Sequence, residues 1–181
     1  EVLRLALERS KSAEEAVDVM TSIISEFGQG KFSNGEGVRT YDNLYIVADP
    51  KSAYVVECVG HDWAVKQVKD FTSISNISQI GTGSDRLSPG AQAKANSLGL
   101  YDLGSEDDFD FTAVFGDPEN AASGTARQCR SQAMLGVGSG RLDARAMMRV
   151  LSDHSDGGNP DEPPVVDVAG EISICVHRMT G

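Results

Sequence analysis

The chain has 181 residues, and its 40% hydrophobic, 24% charged and 6% aromatic content supplies apolar material for one core, a length and composition that suit a single soluble domain. Its 27 Asp and Glu against 16 Lys and Arg give a formal charge of -11, which repels phosphate backbones and argues against nucleic acid and anionic membranes as partners. Three cysteines, Cys58, Cys129 and Cys175, stand far apart with no CxxC and no nearby His pair, so neither a disulfide framework nor a zinc site is indicated and a reducing cytoplasm is the natural reading. No apolar run approaches the ~20 residues of a membrane span.

The chain opens directly on a helical pattern, Glu1-Val2-Leu3-Arg4-Leu5-Ala6-Leu7-Glu8-Arg9, with no Met and no leader pattern, so it reads as the middle portion of a larger protein. Leu3, Ala6 and Leu7 share one face of this first helix. A second helix repeats the spacing with Ala16, Val17, Met20, Ile23, Ile24 and Phe27. Ser12 followed by Glu15 is a capping box, and Gly28 with Gly30 is a stop. The pair is expected to be a helical hairpin laid on a sheet, which begins after a Gly/Asn/Ser-rich loop from Gly28 to Gly37.

The period then becomes extended. Asn43 to Ala48, Ala53 to Val59 and Trp63 to Val68 are rich in β-branched and aromatic residues. Asp49-Pro50-Lys51-Ser52 and Gly60-His61-Asp62 are turn sequences, and connections this short force antiparallel neighbours. A fourth strand is expected over Phe71 to Ser75, ending at Asn76. The result is a meander whose near-continuous apolar stretches predict cover on both faces, with Leu44, Ile46, Val56 and Trp63 among its buried residues.

The second half returns to helix. Ser88-Pro89 reads as N-cap and first helical residue for Ala91 to Leu98, closed by Gly99. Gly104-Ser105-Glu106-Asp107-Asp108 reads as a solvated acidic loop. Ala122 to Leu135 and Asp143 to Ser152 are the next helices. The glycine run Gly136 to Gly140 between them lacks the preceding strand and following lysine of a phosphate loop, and reads as a connector. Asp156 to Pro164 is a loop, and Glu171 to His177 is a last strand without a following partner. Helices flanking antiparallel sheet make a layered α+β sandwich, of which the four-layer αββα arrangement is one form.

Chemistry-bearing residues are few. His61 lies in a turn, His154 beside Asp153 and His177 at a strand end, and each reads as structural or surface. Cys58 and Cys175 fall within strands, where a free Cys behaves as a small apolar residue. Cys129 lies between two cations, Arg127 and Arg130, but has no His at helical spacing. No GxSxG elbow, HExxH motif or phosphate loop occurs. Two polar residues stand out by position. Asn76 at a strand exit is either a turn asparagine or an amide donor into a cleft at the sheet edge. Arg127, on a helix expected to pack on the sheet, is either a surface arginine or a guanidinium reaching that cleft.

Several blocks carry a resemblance: Leu3 to Arg9, Ala13-Glu14-Glu15-Ala16, Gly28-Gln29-Gly30, Ala48-Asp49-Pro50 with Ala53-Tyr54-Val55-Val56-Glu57, and Ser73-Ile74-Ser75-Asn76. Phe109-Asp110-Phe111, Arg127-Gln128-Cys129-Arg130, Met147-Met148 through His154, and Ile174-Cys175-Val176-His177 follow. In this order the set resembles the secernin and dipeptidase family and covers essentially the whole chain.

The resemblance implies an N-terminal-nucleophile hydrolase: an αββα four-layer sandwich, incomplete over these residues as a partial single domain. It implies a cysteine exposed as the first residue of the mature enzyme and cleavage of amide bonds in small peptides. The free α-amine of that cysteine, with a pKa near ~8, serves as base for its own thiol. Here the first residue is Glu1, so the nucleophile is expected in an upstream portion of the same protein, and this stretch alone is expected to be inactive. By similarity to the wider group that includes bile-salt and penicillin V hydrolases, Asn76 matches an active-site asparagine. Arg127 matches an arginine that positions the cysteine, with Arg130 as the alternative in the same helix. No metal or organic cofactor is implied. The alternatives are a non-catalytic, secernin-like interaction protein and an acyltransferase on the same fold.

Overall fold

A computed structural model describes residues 1–29, 31–34, 37–40, 42–105, 108–116, 121–154 and 174–175. The described residues within Glu1–Lys69 and Ser78–Asp117 form one compact unit, and those within Asp70–Ile77 and Pro118–Gly181 form a second. The class is α+β: helices together with a four-stranded antiparallel sheet.

The first unit opens on α1 (Val2–Arg9) and α2 (Ala13–Phe27). Ser12 caps α2 by accepting from the Glu15 N–H at 3.2 Å, and the Glu15 carboxylate accepts from the Lys11 N–H at 2.7 Å, so the expected capping box forms. Gly28 ends the helix at φ 67 with its N–H on the Ile24 carbonyl. A Cβ there would also meet the exposed His61 ring, which would have to turn aside. His61 itself bonds the Ser25 carbonyl at 3.1 Å and is structural.

The segment read as a loop after Gly28 instead contains a hairpin, β1 (Lys31–Asn34) with β2 (Gly37–Thr40), in register Asn34↔Gly37. Neither strand carries the apolar alternation that reveals strands in sequence. The main sheet has the order β3 (Asn43–Ala48), β4 (Ala53–Val59), β5 (Asp62–Gln67), β6 (Arg86–Leu87), with every pair antiparallel. The first three strands match the meander expected.

The fourth strand is a correction. Phe71 to Ser75 is not a strand of this sheet; the free edge of β5 is taken by Leu87 opposite Ala64 and Arg86 opposite Val65. Flanking bonds from the Asp85 N–H to the Val65 carbonyl and from the Ser88 N–H to the Trp63 carbonyl, both 2.9 Å, complete that edge. Ser88 therefore does not cap α3 (Ala91–Ser97). Its hydroxyl accepts from the Trp63 N–H and donates to Asp62, while Gly90, at φ 88, takes the N-cap position. Asp62 also pairs with Lys94, whose ammonium lies over the Phe115 ring of α4 (Phe111–Phe115).

Side chains alternate across a strand, so Tyr45, Val47, Tyr54, Val56, Cys58, Trp63 and Val65 share the face that receives α1 and α2. Ala6, Ala16, Val17, Met20 and Ile24 fill the other side of this core. Trp63 donates its indole N–H to the Ser25 hydroxyl at 2.8 Å, satisfying the polar end of a large buried ring. Val55 to Cys58 are buried in succession, so β4 is covered on both faces as its apolar run predicted. Edge strand β3 is different: Leu44 is half-buried and Ile46 is 45% exposed, against expectation, because both point away from the helical hairpin.

Two carboxylates hold this unit together. Asp49, half-buried in the β3–β4 turn, accepts from the N–H groups of Ala13, Lys51 and Ser52 at 2.7 to 2.8 Å, with Ala13 the first residue of α2. These bonds, Ala13 foremost, hold its carboxyl below the usual aspartate range. That stabilisation is present above the unfolded aspartate pKa and is lost as pH falls through the depressed folded value. Glu57, 1% exposed on β4, accepts from the Gln79 and Ile80 N–H groups at 2.7 and 3.0 Å and from the Ser78 hydroxyl at 2.5 Å. Burial dominates and pushes its carboxyl up, with the three donors opposing. Its contribution is therefore complete below the ordinary glutamate pKa and declines as pH rises through the raised folded value. Urea unfolding from about pH 4 to about pH 8 should show wild type losing stability relative to Glu57→Gln as pH rises. A difference that stays flat over that range would contradict the raised pKa.

Candidate functional site

The second unit is built on α5 (Ala121–Val137) and α6 (Ala144–Leu151), with residues 70–77 lying along α5. Among the described residues of α5, Gly124, Gln128, Ser131 and Leu135 are buried, at spacings that put them on one face. The segment runs antiparallel to the helix. Asp70 accepts from the Ser139 hydroxyl, and Phe71 lies against Gly136. The Ser73 carbonyl accepts from the Gln128 amide at 2.7 Å, and its hydroxyl shares a 2.6 Å bond with Ser131. This is why Phe71 to Ser75 is not a ladder strand: its polar groups bond to helix side chains. A single antiparallel bridge, Ser75 to Ile77, marks the turn that presents Asn76.

Asn76 and Arg127, 51 residues apart in sequence, meet directly: Arg127 Nη2 donates to Asn76 Oδ1 at 2.9 Å. A guanidinium carries only donors, so the amide oxygen has to face it and the Asn76 NH2 group is turned the other way. Asn76 is exposed and Arg127 half-buried, which leaves that amide donor open to an incoming group. Beside them, Ser75 Oγ is buried with no hydrogen-bond partner. The neighbouring cation is committed elsewhere. Arg130 binds Asp153 through Nε at 2.9 Å and Nη2 at 2.7 Å, a two-pronged pair with the aspartate side chain 10% exposed. The register alternative at Arg130 is thus not the one that reaches Asn76.

The arrangement differs from expectation in one respect. Asn76 was expected at a strand exit on the sheet edge, but the pair stands on the 75–77 turn and α5, inside the second unit. Gln128, Ser131 and Gly124, which align the segment, were not singled out from sequence. The i, i+4, i+7 spacing of small and amide side chains was the signal, hidden by reading Phe71 to Ser75 as a strand.

The remaining candidates are dispersed. Cys58 is buried in β4 with its thiol pushed up, by burial first and then by the charges of Glu57 and Asp42. Cys129 is exposed on α5, and Cys175 is half-buried with its N–H on the Asp153 carbonyl. His154 lies past the end of α6 and its C-cap Ser152, while His177 and most of the expected strand from Glu171 to His177 lie outside the described residues; Ile174 and Cys175 form a bend. Among the described residues no His, Cys, Asp and Glu cluster suits a metal ion, and no helix is long and apolar enough to cross a membrane. A groove of about 400 Å³ in the first unit, between α1, α2 and β3, is lined by Leu3, Ala6, Leu7, Met20 and Val47 together with the polar Ser10, Lys11, Ser12 and Asp49. No protein-family model matches the chain.

The two arginines should differ in stability. Arg127→Ala removes one partly exposed hydrogen bond and should cost about 0.5–1.5 kcal/mol. Arg130→Ala removes both bonds of a two-pronged pair from a poorly exposed carboxylate, and even discounted for the exposed guanidinium should cost about 1–3 kcal/mol. Urea unfolding of the two variants checks the order; a larger loss at Arg127 would give that residue the structural role.

Proposed function

We propose that the chain carries the oxyanion side of a cysteine-type amidohydrolase or dipeptidase of the secernin-like, N-terminal-nucleophile class, acting on amide bonds of small peptides in the cytoplasm. The observation that carries this reading is the Arg127 to Asn76 hydrogen bond, because it orients an exposed amide with its donors outward, as an oxyanion donor requires. The antiparallel sheet β3–β6 with α1 and α2 on one face supports the reading, because a helix layer on an antiparallel sheet is what each half of an αββα sandwich requires.

In the proposed reaction the nucleophile is a cysteine outside residues 1–181, exposed as an N-terminus. Its α-amine takes the thiol proton, and the thiolate attacks the amide carbon. Charge moves to the carbonyl oxygen, which accepts a hydrogen bond from the Asn76 NH2 group. The ammonium then protonates the departing amine as the C–N bond breaks, and water hydrolyses the thioester to release the acid. Arg127 acts through Asn76, keeping its amide from flipping and presenting oxygen to oxygen. Buried Cys58, with its raised pKa, is unsuited to thiolate chemistry. No cofactor enters this scheme.

In protein that includes the nucleophile, Asn76→Ala should lower kcat by ~100-fold or more, the effect of losing one oxyanion donor. An unchanged kcat would return Asn76 to the role of a turn residue. Residues 1–181 alone should not hydrolyse dipeptides, and turnover by this stretch that persisted after replacement of Cys58, Cys129 and Cys175 would overturn the cysteine mechanism.

A further inference from the structure

We propose that Gly124 is a positioning residue for Asn76: its missing side chain lets α5 lie against the Asn76–Ile77 backbone closely enough for Arg127, one helical turn on, to reach the Asn76 amide. The inference about geometry stands on its own, and its consequence for catalysis rests on the oxyanion reading above.

Gly124 is buried on the face of α5 that meets residues 73–77. A Cβ built there would overlap Ile77 Cγ2 and lie 3.4 Å from the Asn76 carbonyl carbon and 3.5 Å from its oxygen. Ile77 cannot give way easily, since Cγ2 sits on a β-branched carbon whose rotation is restricted. The helix and the turn would have to separate instead, by ~1 Å to restore ordinary packing. The Arg127 to Asn76 bond is 2.9 Å long, and a shift of ~1 Å carries it past the ~3.2 Å limit of an effective N–H···O bond. Gly124 and Arg127 are three residues apart and so share a helix face. The approach permitted at one is therefore delivered to the other.

Glycine inside a helix is disfavoured relative to alanine, so on helix propensity alone Gly124→Ala should stabilise α5. Close approach predicts the reverse. It also predicts a specific rescue, because Ile77→Leu removes Cγ2 while keeping side-chain volume.

The test compares wild type, Gly124→Ala, Arg127→Ala, Ile77→Leu and the Gly124→Ala/Ile77→Leu double variant. The readouts are the ¹⁵N–¹H resonances of the Asn76 side-chain amide, unfolding by urea, and kcat in protein that includes the nucleophile. Gly124→Ala should move the Asn76 resonance to its position in Arg127→Ala, and the double variant should return it to the wild-type position. An Asn76 resonance unmoved by Gly124→Ala overturns the positioning role. So does a Gly124→Ala chain that fails to fold and is not recovered by Ile77→Leu. If the resonance moves and returns as expected, kcat should fall ~100-fold and recover in parallel. Resonance changes without any change in kcat would uphold the role of Gly124 and overturn the oxyanion reading, so the two failures are distinguishable.

Discussion

The first unit depends on a carboxylate in the wrong place for a carboxylate. Glu57 lies in central strand β4 at 1% exposure, where an unsolvated acid costs several kcal/mol unless the protein supplies donors. Those donors come from three consecutive residues, Ser78, Gln79 and Ile80, on the face opposite the helical hairpin. The chain must therefore return to the sheet at Ser78, directly after residues 70–77 have joined the second unit. From there the same polar logic propagates. The Ile80 and Gly81 carbonyls accept from the Thr112 and Phe111 N–H groups, and the Ser78 hydroxyl meets that of Thr112, so the start of α4 is fixed against the same segment and Phe111 is fully buried.

The hairpin on the other face is fastened at both ends by side chains from turns. Asp49 caps the start of α2 through the Ala13 N–H. At its far end Gln29 reaches between β3 and β4, donating to the Cys58 carbonyl and accepting from the Asn43 N–H. Apolar packing gives most of the stabilisation but is indifferent to small slides along the helix axis; these directional bonds remove that freedom. The two carboxylates respond to pH with opposite sign, Asp49 weakening in acid and Glu57 weakening as pH rises. The unit is thus balanced between them at intermediate pH.

Much of this was legible because strong periodicity leaves few alternatives. The stripe Ala16, Val17, Met20, Ile24 could only be a helix packed on one side, and the turns at Asp49 and Gly60 could only reverse the chain. What was not legible had no period to read. Strand β6 is two residues long, and β1–β2 lacks apolar alternation. Phe71 to Ser75 has strand composition, but its partners are amide and hydroxyl groups on α5. Ile46 followed its alternation faithfully; the error lay in assuming that the cover over that face of β4 extends to edge strand β3. At the site, position along the chain and the resemblance pointed to Asn76 and Arg127, while the means by which they meet, a glycine and a polar stripe on one helix face, became visible only with the segment in place.

The division of labour between neighbouring arginines bears on the chemistry. Arg130 is neutralised by a two-pronged carboxylate, whereas Arg127 makes no ion pair among the described residues and spends a donor on a neutral amide. A carboxylate at Arg127 would compete with the Asn76 oxygen and free the amide to flip, exposing an acceptor where the proposed reaction needs a donor. Lysine would not substitute well, because a rotating ammonium fixes neither the distance nor the plane that a planar guanidinium imposes. In the proposed reaction the role of Arg127 is therefore indirect and geometric: its charge polarises the Asn76 carbonyl, which strengthens the outward N–H groups as donors, while the close approach at Gly124 sets the distance on which that polarisation depends.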